Sequence, residues 1–262
     1  AQKTKDAIVD QLRDRLGTRP DVARKDPDVA IFVHLVRDRA TVYLDAAGHS
    51  LHRRGYRLEA AQAPLKETLA AAALRLGGWD RDSPLCDPMC GSGTFPIEAA
   101  LWAGRIAPGL GCKRFGFERW ATFDATMATR MRELRDRARA NVRQDIPPIM
   151  GSDIDPEALK VARANAARAG VRIEWRTSAI RDLKPSSPPG FVILNPLYGT
   201  RLPAEESLYR EMGTVLATLR GHRVVVLSGH PDIERGMRKK PAKFFILHNG
   251  DIECRLLLYS MG

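Results

Sequence analysis

From Asp82 onward, short apolar runs alternate with segments in which apolar residues recur every three or four positions. The first pattern predicts strands and the second predicts helices. Strands are expected at Leu85–Pro88, Ile149–Ile154, Val171–Arg176, Phe191–Leu194 and Arg223–Ser228, with helices at Phe95–Ala103, Pro156–Ala169 and Ala204–Leu219. The helix at 156–169 has clear ends: Asp155 to cap it, Pro156 at its first position and Gly170 to stop it. Its apolar stripe is Leu159, Ala162, Ala166 and Ala169. Arg223–Ser228 carries a continuous apolar run, as in a strand buried on both faces. Lys243–Leu247 and Glu253–Tyr259 flank Asn249-Gly250, a hairpin turn signal. The pattern predicts an α/β fold: a mostly parallel sheet covered by helices on both faces, with a terminal antiparallel hairpin. Ligands of such sheets sit at the carboxyl ends of the strands, where the strand order reverses.

The N-terminal stretch reads differently. Thr4–Leu16 is an amphipathic helix, Val29–Val36 and Ala40–Ala46 are strands, and a basic segment follows, His52-Arg53-Arg54-Gly55-Tyr56-Arg57. This resembles the second half of a small α+β domain. One helix and two strands bury little alone, so an earlier portion is expected in the native chain and the fragment is expected to pack on its neighbour. The boundary is placed between 1–57 and 58–262. A helix at Pro64–Leu76, stopped by Gly77-Gly78, leads into the second domain. Residues 102–148 read as an insertion containing a charged helix, Ala125–Asn141, which either shapes a substrate cleft or covers the sheet.

Composition narrows the class. A chain of 262 residues that is 44% hydrophobic builds one large core, or a large domain with a small appendage. No stretch approaches the roughly 20 apolar residues of a membrane span, and the first residues lack a signal-peptide core. A cytoplasmic location is the resulting expectation. The net charge of +11 favours a polyanionic partner, above all nucleic acid; an arginine-rich soluble protein is the other reading. Cys86, Cys90, Cys112 and Cys254 show no zinc-site spacing and read as reduced, packed thiols, so no metal is expected.

Three motifs fall at expected strand ends. The first is Cys86-Asp87-Pro88-Met89-Cys90-Gly91-Ser92-Gly93-Thr94, a glycine loop that opens a helix. Its glycines let a ligand approach the backbone, and the helix N-terminus offers free amides to a carboxylate. Alone, it is equally an ordinary strand-to-helix turn. A dinucleotide site wants a third glycine where Pro96 stands, and Asp87 suits the amino group of a methionine better than a pyrophosphate. The second motif, Gly151-Ser152-Asp153-Ile154-Asp155, places Asp153 at a strand end, able to accept both hydroxyls of a ribose. The third is Asn195-Pro196-Leu197-Tyr198-Gly199. An amide oxygen (Asn195), a rigid carbonyl (Pro196) and an aromatic face (Tyr198) suit an exocyclic amine on a flat base. An Asn-Pro turn closing a strand is the plainer reading of that motif in isolation.

Taken together, Arg54-Gly55-Tyr56-Arg57, Ala63-Pro64-Leu65-Lys66-Glu67, Asp87–Thr94, Ile106–Leu110, Phe115–Trp120, Gly151–Pro156, Asn195–Leu202 and Asn249–Cys254 stand in the order of one family. Over essentially its whole length the chain resembles the THUMP-containing RNA guanine-N2 methyltransferases, especially the bacterial members that act on 23S ribosomal RNA. The resemblance implies a Rossmann-like, seven-stranded class I methyltransferase sheet, with a partial THUMP-like RNA-binding segment at the N-terminus. It implies S-adenosylmethionine as cofactor, S-adenosylhomocysteine as product and RNA as partner. Its cofactor residues map to Pro64, Leu65, Asp87, Met89, Cys90, Gly91, Ser92, Gly93, Thr94, Asp153, Ile154, Ser178, Ala179, Ile180 and Asn195. Asn195, Pro196 and Tyr198 fall at the catalytic motif. Arg53, Arg54, Arg57 and the basic helix around Arg130–Arg143 are the candidates for phosphate contacts, the helix being equally readable as a solvated face. Two positions depart from the pattern: Leu197 replaces a second proline, and Ala179 stands where an acid often binds the adenine amine, leaving that contact to Ser178 and the Ile180 amide. Adenine-N6 methylation of DNA or RNA, guanine-N2 methylation of transfer RNA and a non-catalytic RNA-binding or ribosome-assembly role are the alternatives. A nicotinamide oxidoreductase ranks below them because of Pro96.

Overall fold

The computed structural model describes residues 2–23, 25–57, 65–184, 186–196 and 203–262, with backbone alone for 203–206. In chain order the elements are α1 (Gln2–Leu16), β1 (Ala30–Val36), β2 (Arg39–Asp45), α2 (Glu67–Leu76), β3 (Leu85–Asp87), α3 (Thr94–Ala103), α4 (Ala125–Ala140), β4 (Ile149–Asp153) and α5 (Pro156–Ala169). They continue with β5 (Glu174–Thr177), β6 (Phe191–Leu194), α6 (Pro203–Ala217), β7 (Arg223–Ser228), α7 (Pro231–Gly236), β8 (Lys243–Asn249) and β9 (Ile252–Ser260).

The chain divides into two compact units, residues 1–51 with 112–135 and residues 52–111 with 136–262. The division departs from the expected boundary at 57 for two local reasons. Within the first unit, Gly116 and Phe117 donate their amides to the carbonyls of Ala47 and Ala46, at 2.8 and 3.0 Å. The start of the expected insertion therefore belongs with the hairpin β1–β2. Within the second unit, Arg54 and Tyr56 bond to Glu98, which assigns the basic segment to the larger body. Helix α4 has no buried residue, so it does not cover a sheet.

The first unit holds the antiparallel pair β1–β2, in register Phe32↔Tyr43. The second holds a seven-stranded sheet in the order β5-β4-β3-β6-β7-β9-β8. Its first five strands are parallel, and β9 runs antiparallel to both β7 and β8. Alternation along each strand sends side chains to two cores. Phe191, Ile193, Val225, Leu227 and Leu256 join one with α2 and α3. Val192, Leu194, Val224, Val226 and Leu257 join the other with α6 and α7.

The chain winds outward from β3 through β4 to β5, then returns to pair β6 against the other side of β3. The crevice at the carboxyl ends of β3 and β6 is therefore the reversal point where ligands of open α/β sheets bind. One expected strand begins late. Val171 donates its amide to Ala166, and Gly170, in the left-handed region at φ 69°, bonds to Ala167. This helix-stopping turn uses the backbone of residues expected in the strand, so β5 starts at Glu174.

Candidate cofactor and methyl-acceptor site

A cavity of about 760 Å³ opens at that reversal point, a volume typical of small-molecule sites. Its floor is the glycine loop. The short strand β3 delivers Asp87, whose side chain is fully buried and accepts the Met89 amide at 3.1 Å. Gly91 and Gly93 are both left-handed, at φ 50° and 83°. A Cβ at Gly91 would meet nothing within 4 Å, whereas at Gly93 it would sit 2.7 Å from the Trp175 ring. The loop thus exposes backbone at Gly91 and is packed tightly at Gly93. Helix α3 begins at Thr94, and Pro96 lies in its first turn, where a missing amide costs no helical bond. Thr94 and Phe95, at the helix start, line the cavity.

The second motif is joined to the first. Asp153 Oδ2 accepts the Gly91 amide at 2.8 Å and Oδ1 accepts the Asp155 amide at 3.0 Å. Each carboxylate oxygen retains a lone pair for a further donor. Asp155 caps α5 by accepting the Glu157 amide at 2.9 Å. Burial pushes the Asp87 carboxyl well above the usual carboxylate range, and the charge of Asp153 adds to the shift.

The third motif forms the opposite wall. Asn195 follows β6 directly and lines the cavity with Asp87, Asp153, Ile154, Ser178, Ala179 and Ile180. Its Oδ1 is buried and has no hydrogen-bond partner among the described residues. A buried amide oxygen without a donor costs about 1–3 kcal/mol. Pro196 is buried beside it. Pro64, Leu197 and Tyr198 lie outside the described residues.

Leu65, Met89, Cys90, Gly91, Ser92 and Thr94 also line the cavity. Gly93, beneath the loop, is packed rather than exposed. Of the arginines expected to touch phosphate, Arg53 and, on α4, Arg130, Arg132, Arg137 and Arg139 are exposed, whereas Arg54 and Arg57 are not. Arg54 Nη2 stands 3.4 Å from Glu98 Oε2, and Arg57 donates to Leu65 O and to Thr94 Oγ1. These two side chains are 13% and 10% exposed, so their charges are committed inside the protein rather than to a phosphate.

Sequence reasoning missed Trp175, Asn165 and Glu98. Asn165 and Glu98 carried a signal: each is a polar residue on an otherwise apolar helix face. Trp175 carried none, because its packing on Gly93 and Gly151 depends on the sheet pairing. All four cysteines are free, and burial pushes the Cys86 and Cys90 thiols up.

Topology, glycine loop and strand-end acid together define a Rossmann-like, class I methyltransferase fold. The UPF0020 family model, described as RMKL-like, methyltransferase domain, matches residues 54–257, and a THUMP domain model matches residues 1–45. The chain belongs to this RMKL-like UPF0020 methyltransferase family. It is 44% identical to the "Ribosomal RNA large subunit methyltransferase K/L" of Methylococcus capsulatus over all of this chain, and it spans 37% of that protein's length. Among solved structures it resembles one described as "a putative methyltransferase complexed with SAH". That structure is 37% identical with a TM-score of 0.84, the match covering 98% of this chain and 68% of that one. It also resembles "a predicted N6-adenine-specific DNA methylase" of Listeria monocytogenes. The figures there are 34% identity and a TM-score of 0.84, over 97% of this chain and 67% of that one.

Proposed function

We propose that this chain carries the S-adenosylmethionine-dependent methylation of the exocyclic N2 amine of a guanine in RNA, with large-subunit ribosomal RNA as substrate. The observation that carries the reading is that Asn195, whose buried Oδ1 has no hydrogen-bond partner among the described residues, lines the same cavity as the glycine loop. The residues present fit the cofactor. Asp87 is a buried acid for its ammonium group, Asp153 has acceptor capacity left for its ribose, and Ile154, Ala179 and Ile180 offer apolar walls to a flat base. Open backbone at Gly91 admits a close approach, and the N-terminus of α3 suits a carboxylate.

When bound, S-adenosylmethionine supplies an electrophilic methyl group on its sulfonium. The guanine amine is a poor nucleophile because its lone pair is delocalised into the ring. Asn195 Oδ1 and the Pro196 carbonyl accept its two N–H groups, which holds the nitrogen pyramidal and aims the lone pair across the cavity. Tyr198 is assigned the stacking of the extruded base. The side chains act by position and electrostatics. No protein nucleophile is needed, and the raised thiols of Cys86 and Cys90 remain protonated.

Ribosomal RNA is supported by the Methylococcus relative's name, by the THUMP match and by the +11 charge, while guanine N2 rests on the family resemblance of the sequence motifs. Adenine N6 is the second reading, favoured by the description of the Listeria structure and by the same Asn-Pro-x-Tyr set. Nucleoside mass spectrometry of RNA modified in vitro decides between them. N2-methylguanosine is expected, and N6-methyladenosine would replace the base assignment. Unmodified RNA from a protein that still binds S-adenosylhomocysteine would turn the reading to a non-catalytic RNA-binding role.

A further inference from the structure

The segment 54–57 is basic in sequence, yet Tyr56 is buried, the Arg54 and Arg57 side chains are largely so, and the segment is bonded to the cofactor loop at several points. Arg57 Nη1 donates to the Leu65 carbonyl at 3.2 Å and stands 3.7 Å from Glu67 Oε1, while Nη2 donates to Thr94 Oγ1. Leu65 and Thr94 both line the cavity. One guanidinium therefore joins two walls of the site. A second path runs from the same segment through α5. Arg168 Nε donates to the Tyr56 carbonyl and Nη2 to Asn165 Oδ1, each at 2.6 Å, and Asn165 Nδ2 donates to Ser92 O at 3.0 Å. The Tyr56 hydroxyl anchors the segment on α3 by donating to Glu98 Oε1 at 3.1 Å.

Ser92 and Thr94 flank Gly93, the left-handed residue closed in by Trp175. The loop is thus tied on both sides of its tightest point, and those ties set where the first amides of α3 aim. A buried ion pair such as Arg57–Glu67 contributes little net stability, because desolvation offsets the attraction. Its rigid two-armed geometry is what a lysine could not reproduce.

We propose that Arg57 is a positioning residue for the cofactor, acting through Thr94 and Leu65 on the shape of the glycine loop rather than on RNA. The inference rests on the reading of this cavity as the S-adenosylmethionine site. The test is calorimetric titration of the full chain with S-adenosylhomocysteine, comparing Arg57→Lys, Thr94→Val, the double variant and, as control, Lys160→Ala. Lys160 is an exposed residue of α5 paired with Glu157.

Arg57→Lys and Thr94→Val are each expected to weaken binding roughly tenfold, the size of one charge-assisted hydrogen bond. The double variant is expected to match the single variants, because both remove one interaction, and Lys160→Ala to match wild type. A merely structural role would lower the melting temperature without this non-additivity in affinity. Wild-type binding that persists unchanged in Arg57→Lys, or fully additive losses, would overturn the inference alone. Failure of the wild-type chain to bind would overturn the cofactor reading and this inference with it.

Discussion

The same chain builds two sheets under opposite conditions. In the seven-stranded sheet, Ile193, Val225 and Leu227 are fully buried, because helices cover both faces. In the hairpin β1–β2, equally strand-like residues stay in the open: Phe32, Leu35, Val42 and Leu44 are 62%, 68%, 59% and 58% exposed. Strand propensity is alike in both regions. What differs is the number of layers, since a strand buries its side chains only when another element lies across its face. The larger sheet can therefore hold costly features at its strand ends, such as a buried acid and an amide oxygen without a partner among the described residues. The hairpin holds none.

Four measurements sharpen or break that contrast. The largest effect is expected from Ile193→Ala at the centre of β6, which should cost about 3–4 kcal/mol by denaturant unfolding. A loss under about 1 kcal/mol would mean the sheet is far looser than its burial indicates. Two positions along, Asn195→Ala should leave folding and S-adenosylhomocysteine binding near wild type while lowering turnover about a hundredfold, as for other lost transition-state contacts. Near-normal turnover would remove Asn195 from the mechanism.

Asp87 gives the third. The folded carboxyl holds its proton to a higher pH than the unfolded one. Its contribution to stability is therefore present at low pH and lost as pH rises from the ordinary carboxylate pKa of about 4 through the folded value. Ionised Asp87 is the form that binds an ammonium, so affinity should rise with pH over the same window and binding should release a proton. Titration in buffers of different ionisation enthalpy reads that proton, and Asp87→Asn should abolish it. Buffer-independent heats would exclude the coupling. The smallest effect belongs to Phe32→Ala in the hairpin, expected within about 0.5 kcal/mol of wild-type stability. A cost of several kcal/mol there would show that its exposure conceals a partner.

Sequence periodicity recovered the order of the strands and most helices because it reports directly on which side chains face a core. That residues 112–135 share a compact unit with 1–51 was not legible for a physical reason: what holds Gly116 and Phe117 to Ala46 and Ala47 is backbone bonding, which leaves no trace in side-chain pattern. Arg54 and Arg57 were misread for another. A buried, paired guanidinium and a solvated one are written with the same letter, and only Glu67 and Glu98, distant in sequence, distinguish them. At the site, the motifs marked Asp87, Asp153 and Asn195. The bond from Gly91 to Asp153 was not legible, because it depends on β3 and β4 lying side by side.

Trp175 packs where side chains at both Gly93 and Gly151 would otherwise stand: a Cβ at either would lie 2.7 or 2.5 Å from its ring. One indole thus fills the space that two distant glycines leave vacant. The two glycines are held for different reasons. A lineage that shrinks residue 175 opens a void under the loop and relieves its clash with a side chain at 151, whereas Gly93 stays fixed by its left-handed φ of 83°. Across descendants of this chain 151 and 175 should change together, while 93 should stay glycine.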